Sequence, residues 1–188
     1  IGTEGGGLNY YNRRTREFKW YRPQEGRNSI SHNNVKALYY DADKEIIWIG
    51  THLGGLNKLD IRSGHFTHYR MEGNNPQSLP SDIIRDITPY KDLLIIATQN
   101  GVCLFNPANG QCRQLFKDSK EGKSIKMVAD VVFDSEGTLW IAATGEGVFS
   151  YRFDTRKLTN YRHDAANPNS LSNNNVNNIT QDSKGNLW

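Results

Sequence analysis

The chain has 188 residues, 36% of them apolar and 11% aromatic, and a net charge of +3 from 23 Lys+Arg against 20 Asp+Glu. Its 9 Tyr, 7 Phe and 4 Trp exclude a disordered segment, which would lack the apolar groups needed to offset chain entropy. The charges are scattered, with no basic run longer than Arg13-Arg14, so there is no nucleic-acid footprint, and no apolar stretch of about 18 residues is present to span a bilayer.

Read along the chain, Ile1-Gly2-Thr3 is the tail of a strand without its beginning, and a processed or truncated chain is the simplest account. The same motif returns as Ile49-Gly50-Thr51, Ile96-Ala97-Thr98 and Ile141-Ala142-Ala143. It is preceded by Trp48, Ile95 and Trp140, and the chain closes on Leu187-Trp188. The steps between these positions are 47, 45 and 48 residues. A period in this range signals a repeat architecture. The chain is one domain, 1–188, of four repeats at approximately 1–48, 49–95, 96–140 and 141–188.

Each repeat has four short runs rich in Val, Ile, Tyr and Phe. In the second they are Trp48 to Thr51, Gly55 to Asp60, His65 to Arg70 and, beyond a long polar loop, Asp82 to Ile87. Clusters of Gly, Asn, Asp and Pro separate these runs, which is strand and turn punctuation. No apolar period of 3.6 is sustained long enough for a helix. Apolar residues fall on both strand faces, as at Leu56 and Leu59, which suits sheets covered on both sides. The predicted fold is therefore all-β, with β-propeller blades of four antiparallel strands. The innermost strands are expected near 34–40, 84–89, 127–133 and 175–181. Because Ile1 already belongs to a second strand, the first blade lacks its innermost strand. The four repeats are expected to form a partial propeller, an open arc of a larger ring.

Several residues could suggest chemistry, but each has a structural reading. Asp134-Ser135-Glu136-Gly137 and Asp182-Ser183-Lys184-Gly185 recur at one place in the repeat, as turn residues do: Asp bonds the backbone two residues on and Gly supplies positive φ. Trp48, Trp140 and Trp188 are read as wedges between blades. Cys103 and Cys112 flank the turn 106–110, and pairing centred there sets Cys103 opposite Arg113 or Gln114 rather than Cys112, against a disulfide. Asn178-Ile179-Thr180 matches a glycosylation sequon but falls within a predicted inner strand.

The string Asn169-Ser170-Leu171-Ser172-Asn173-Asn174-Asn175-Val176, running on through Ile179 and Asp182 to Gly185-Asn186-Leu187-Trp188, resembles the repeat of two-component regulator propellers. Ser29-Ile30 before Val35, Ser78-Leu79 before Ile84, and Gly54-Gly55-Leu56-Asn57 with Asp60 match other parts of that repeat. The third repeat departs from it, with Tyr90 where Asp is usual, Ile95 for Trp, and a shortened lead-in at Ser124-Ile125. The resemblance implies the periplasmic sensor part of a hybrid two-component histidine kinase, an inner-membrane protein of the kind common in gut Bacteroidetes. It also implies a pair of propellers of about seven blades each, detection of glycan-derived oligosaccharides, and signalling to transcription. The segment itself is expected to be no enzyme, with the kinase elsewhere in the parent chain, and to hold no cofactor or metal.

Two other functional classes compete with this reading. Streptogramin lyases have a similar Asp…Gly…Leu-Trp repeat, but none of the five histidines here has a second His or a carboxylate at ligand spacing. No G-x-S-x-G occurs, and the sialidase turn needs Asp two residues before Gly, where Asp134 and Asp182 lie three before. A protein-interaction propeller stays open, although the Trp-Asp and Gly-His pairs of WD repeats are absent. The expected partners are an oligosaccharide or other small ligand, the remaining blades of the parent propeller and a second copy in a homodimer, with membrane contact only through other parts of the parent. The ligand face is expected to carry the long loops 23–34, 71–82, 117–126 and 163–175 together with the tight loops 3–7, 51–55, 98–101 and 144–147. Candidate ligand-binding residues there are Arg27, His32, His52, Asp82, Gln99, Glu146, Asn173 and Asn174, whose amides, carboxylates and imidazoles suit a hydroxyl-rich ligand.

Overall fold

The computed structural model describes residues 1–188. It is all β apart from a single 3-10 turn at Gly122–Ser124. Blade 1 has three strands, β1 (Gly2–Thr3), β2 (Gly7–Asn12) and β3 (Glu17–Tyr21). Blade 2 contains β4 (Val35–Asp41), β5 (Ile46–Thr51), β6 (Leu56–Asp60) and β7 (Phe66–Tyr69). Blade 3 contains β8 (Ile84–Tyr90), β9 (Leu93–Thr98), β10 (Gly101–Asn106) and β11 (Gln111–Gln114). Blade 4 contains β12 (Val128–Phe133), β13 (Leu139–Ala143), β14 (Gly147–Arg152) and β15 (Lys157–Tyr161). Every pairing is antiparallel and between sequence neighbours, as short turns between strands require.

Blades stack face to face, and apolar side chains from both faces fill each interface. Between blades 1 and 2, Leu8, Ile30, Val35, Ile49, Leu59 and Phe66 form one core. Between blades 2 and 3, Trp48 meets Phe105 edge-on at 5.5 Å and Tyr69 at 6.0 Å, among Leu56, Leu79, Ile84 and Ile96. Blades 3 and 4 enclose Ile95, Val102, Ile125, Val128, Leu139, Ile141 and Phe149. The residue after Ser in each lead-in plugs one end of these cores: Ile30, Leu79 and Ile125 are all buried. The preceding Ser shapes the loop, with Ser29, Ser78 and Ser170 Oγ each accepting a backbone N–H, from Gln24, Glu72 and Asp164, at 2.9 Å. The Ser-Leu/Ile lead-in thus closes a loop and fills a hole.

The inner strands are joined by carboxylates. Asp86 Oδ2 accepts the Val131 N–H at 3.4 Å and Asp130 Oδ2 accepts the Ile179 N–H at 2.7 Å, each reaching the next inner strand. Burial first, and the charge of Asp130 after it, raises the Asp86 pKa above the usual carboxylate value. The turn Asp has a second task besides its own backbone: Asp134 Oδ2 accepts the Trp140 indole N–H at 2.8 Å, and Asp182 Oδ2 that of Trp188 at 3.0 Å. This accounts for the co-recurrence of Asp and Trp six residues apart.

Three expectations need correction. The fourth innermost strand, near 175–181, does not form: only Gln181 bridges Leu187, with Thr180 and Trp188 exchanging backbone hydrogen bonds. Its neighbour strand ends at Trp188, so there is too little partner to pair with. Of the three recurring tryptophans, Trp48 is a buried wedge at 1% exposure, Trp140 is half-buried and Trp188 is 77% exposed, because no blade covers the last two. The cysteine register is as expected, Cys103 facing Gln114 and Phe105 facing Cys112, yet the two cysteines are joined as a disulfide. They are diagonal neighbours on one face with Cα atoms 5.9 Å apart, within the span a disulfide bridges.

The arc is open. Residues 175–188 pack on blade 4 through Ile179, Val176 and Leu187, and make no hydrogen bond to Ile1–Thr3.

Candidate functional site

The tight loops between second and third strands are fixed by their own sequence. Thr3, Thr51 and Thr98 Oγ1 donate to the carbonyls of Gly7, Gly55 and Gly101 at 2.8–2.9 Å. The loop is then latched to the next lead-in: Gly7, Gly55 and Gly147 N–H donate to the carbonyls of Asn33, Asp82 and Asn174 at 2.8–3.0 Å. Gly55 has φ +71°, and a Cβ there would run into the Tyr69 carbonyl, so glycine is the residue this latch requires. These contacts bring tight loops and long loops to one face of the arc, at the junction of neighbouring blades.

His32 lies near His52 and near Arg70, which the sequence reading missed, and Arg70 pairs in turn with Asp82 of the lead-in to blade 3. Asp82 bonds on three sides: Oδ1 accepts the Met71 N–H at 2.7 Å, Oδ2 lies 3.7 Å from Arg70 Nη1, and its carbonyl holds Gly55. The His32 Nδ1 accepts the Asn34 N–H at 3.1 Å, which leaves Nε2 to carry the proton and donate. Burial, and then the charges of His52 and Arg70, lowers the His32 pKa, so this imidazole is neutral at neutral pH. Ser31 Oγ donates to the Gly54 carbonyl at 2.7 Å and ties the lead-in to the tight loop.

The other candidates are dispersed. At the open end of blade 4, Glu146 pairs with Arg162 at 2.6 Å. Beside it, Asn174 Oδ1 accepts the His163 N–H at 2.7 Å, the counterpart of Asp82 with Met71. Asn173 Oδ1 accepts the Asn175 N–H at 2.8 Å, a turn bond. Gln99 is half-buried and joins blades through its backbone, accepting the Met127 N–H at 2.8 Å. Arg27 lies at the outer rim: neighbouring Asn28 bonds Gly64 and Phe66, which carries this loop toward the turn at Gly64 and away from the inner strands.

A second basic feature was also missed. Each full blade has a bulge at the start of its inner strand, between Val35 and Ala37, Ile84 and Asp86, and Val128 and Asp130. The extra residues are Lys36, Arg85 and Ala129. A bulge re-aims its side chain out of the ladder. Lys36 reaches back to Glu4 of blade 1 at 3.4 Å, while Arg85 is exposed. The only advance signal was a Lys or Arg one residue after the first apolar residue of the strand. No group of three or more His, Cys, Asp or Glu side chains converges as a metal site. The face thus presents a neutral imidazole, guanidinium groups, carboxylates and amides on a fixed backbone. That chemistry binds hydroxyl and carboxyl groups by hydrogen bonds.

Comparison with known proteins agrees with this architecture. Residues 29–52 and 170–188 match the two component regulator propeller family model. A curated relative, Histidine kinase P4 of Formosa agariphila, is 29% identical over 186 residues, covering 97% of this chain and 13% of the relative. The chain therefore spans about an eighth of that protein. Among solved structures, the extracellular domain assigned to the hybrid two component system BT4673 of B. thetaiotaomicron superposes with a TM-score of 0.77 at 23% identity, over 98% of this chain and 23% of that one. The corresponding domain of BT3049 gives 0.60 at 19% identity, over 99% of this chain and 36% of that one. At such identities these two structures speak to the fold, an arc of propeller blades. Two segments of the chain, 29–52 and 170–188, thus match the two component regulator propeller repeat.

Proposed function

We propose that this chain is part of the extracytoplasmic, periplasmic sensor region of a hybrid two-component histidine kinase, where it helps bind glycan-derived oligosaccharides and pass their presence on to transcription. The observation that carries the binding reading is on the loop face, where Arg70 pairs with Asp82 and lies near His32, which in turn lies near His52. These groups sit on latched backbone at a blade junction, where a ligand touching both blades alters how they pack. The kinase activity belongs to other parts of the longer protein, a reading supported by the relative being a histidine kinase. The segment catalyses nothing in this account: its carboxylates on the face are engaged by Arg70, Arg162 and Lys36.

The test is calorimetric titration of the parent ectodomain with defined oligosaccharides, followed by analysis of the recovered sugar. The expected result is saturable binding with intact ligand, weakened at least tenfold by Arg70→Ala or His52→Ala. A shortened or eliminated product would establish an enzyme instead. Binding untouched by both substitutions would place the site elsewhere.

A further inference from the structure

Two blade junctions use the same part of the repeat differently, and the difference leaves a cavity. Between blades 1 and 2, Asn28 stands just before the Ser29-Ile30 lead-in, and its side chain binds blade 2 twice. Its Oδ1 accepts the Phe66 N–H at 2.7 Å, and its Nδ2 donates to the Gly64 carbonyl at 2.8 Å. Between blades 2 and 3, Gln77 holds the same place before Ser78-Leu79. Here the backbone performs the first task, the Gln77 carbonyl accepting the Cys112 N–H at 2.7 Å. The side chain turns aside, and its Oε1 accepts from Gln111 Nε2 at 3.0 Å. Gly110, the counterpart of Gly64, is left with a carbonyl that accepts no hydrogen bond within the chain. A half-buried carbonyl left open in this way is a place for an incoming donor.

Gly110 lines a cavity of about 310 Å³ at the rim between blades 2 and 3. That volume is at the small end of small-molecule sites, with room for one sugar ring rather than a chain of them. Its base is the Tyr69 ring, held by Trp48 at 6.0 Å and Phe105 at 4.9 Å. The Gly110 backbone lies so close that a Cβ there would be 2.7 Å from this ring. The Tyr69 hydroxyl has no hydrogen-bond partner in the chain. The loop 72–78 forms another wall and is fixed by its own bonds. Ser78 Oγ accepts the Glu72 N–H at 2.9 Å and donates to the Asn75 carbonyl at 2.8 Å, while Asn75 Nδ2 donates to Glu72 Oε2 at 3.0 Å. The lining therefore offers the Arg70 guanidinium, the Glu72 carboxylate, a phenol and an open carbonyl, beside the apolar surfaces of Tyr69 and Leu79. With one cationic and one anionic group on the wall, a simple anion or cation meets a like charge. A neutral ligand with several hydroxyls meets donors and acceptors at once, and its C–H face meets the Tyr69 ring.

We propose that this rim cavity is a second binding site, for a single neutral sugar unit. Its walls belong to two complete four-stranded blades and the loop between them. The site is distinct from the loop-face groups, with only Arg70 bordering both.

The test is saturation-transfer NMR on the parent ectodomain with glucose, galactose, mannose and rhamnose, each titrated through the millimolar range. At least one sugar is expected to saturate. Glu72→Gln and Tyr69→Phe, which spare Arg70, are each expected to weaken that sugar at least fivefold. Tyr69→Phe removes only the hydroxyl and keeps the ring against Trp48 and Phe105. Circular dichroism matching wild type verifies that both variants are folded. Saturation by none of the sugars, or binding that both substitutions leave unchanged, would overturn the proposal. Displacement of the sugar by equimolar sodium sulfate or tetramethylammonium chloride would overturn the neutral class. A sugar lost with His52→Ala but kept by the two rim variants would sit on the loop face and overturn the rim site. The loop-face reading is tested with oligosaccharides and its own substitutions, so either site can fail alone.

Discussion

Replacing Trp48 by alanine gives the sharpest test of how the blades hold together. The indole is 1% exposed and lies between Phe105 and Tyr69 in the core of blades 2 and 3. Truncating an aromatic in such a site costs about 3–5 kcal/mol, the lost transfer energy plus the cavity left behind. Trp140 holds the same place in the repeat but is half-buried at the open end of blade 4. In the monomer its loss should cost about 1.5–2.5 kcal/mol, because less apolar surface leaves water around it. Trp20 is 63% exposed on an edge strand, and its loss should change stability by less than about 0.5 kcal/mol. Urea unfolding followed by far-UV circular dichroism, at a concentration dilute enough for monomer, reads all three. With a slope of about 2 kcal/mol per molar urea, Trp48→Ala should lower the midpoint by about 2 M. Equal midpoints for Trp48→Ala and Trp20→Ala would refute the wedge role. Equal losses for Trp48→Ala and Trp140→Ala would mean that blade 4 is covered in the monomer.

Asp86 bears on pH dependence: its pKa is raised mainly by burial, so the stability tied to its protonated form is full below its unfolded value and is lost as pH rises through the folded one. Asp86→Asn should therefore raise the melting temperature at pH 7 relative to wild type and lose that advantage near pH 4; a variant less stable at pH 7 would contradict this. Asp182 goes the other way, held at about 2 by the Asn186 amide and then the Trp188 indole. Its hold on Trp188 is complete above about pH 4 and is lost as pH falls through about 2, so Trp188 emission should be flat down to about pH 3 and change below it. For the disulfide, unfolded but unreduced chain should take up no alkylating label, and two labels after reduction. Two labels without reduction would show that Cys103 and Cys112 are thiols.

The repeat was legible because each of its recurring residues has a local task. The Thr and Gly of the tight loop, the Asp of the turn, and the Ser-Leu of the lead-in all act within one blade or at its edge, and so recur at fixed spacing. The blade cores followed from the same period. What could not be read was whatever depends on how one blade meets another in space. Arg70 lies at the end of an outer strand, and its pairing with Asp82 and its nearness to His32 come from how the loops fold over one another. Lys36 and Arg85 read as ordinary strand residues, since a basic residue after the first apolar one is a weak mark and the bulge shows only in the pairing. Arg27 was drawn toward the inner strands by its position in a long loop, but two bonds from Asn28 hold that loop at the rim. The contact of Cys103 with Cys112 is diagonal, and the facing pairs of the register, Cys103 with Gln114 and Phe105 with Cys112, do not reveal it.

Amide hydrogen exchange on the parent ectodomain, with and without a bound oligosaccharide, tests the central claim most directly. The account predicts new protection at the tight loops 51–55 and 98–101 and in the lead-ins 31–34 and 81–83, where His32, His52 and Asp82 lie. Protection confined to the opposite turns at 41–46, 90–93 and 134–139, with the loop face unchanged, would contradict it.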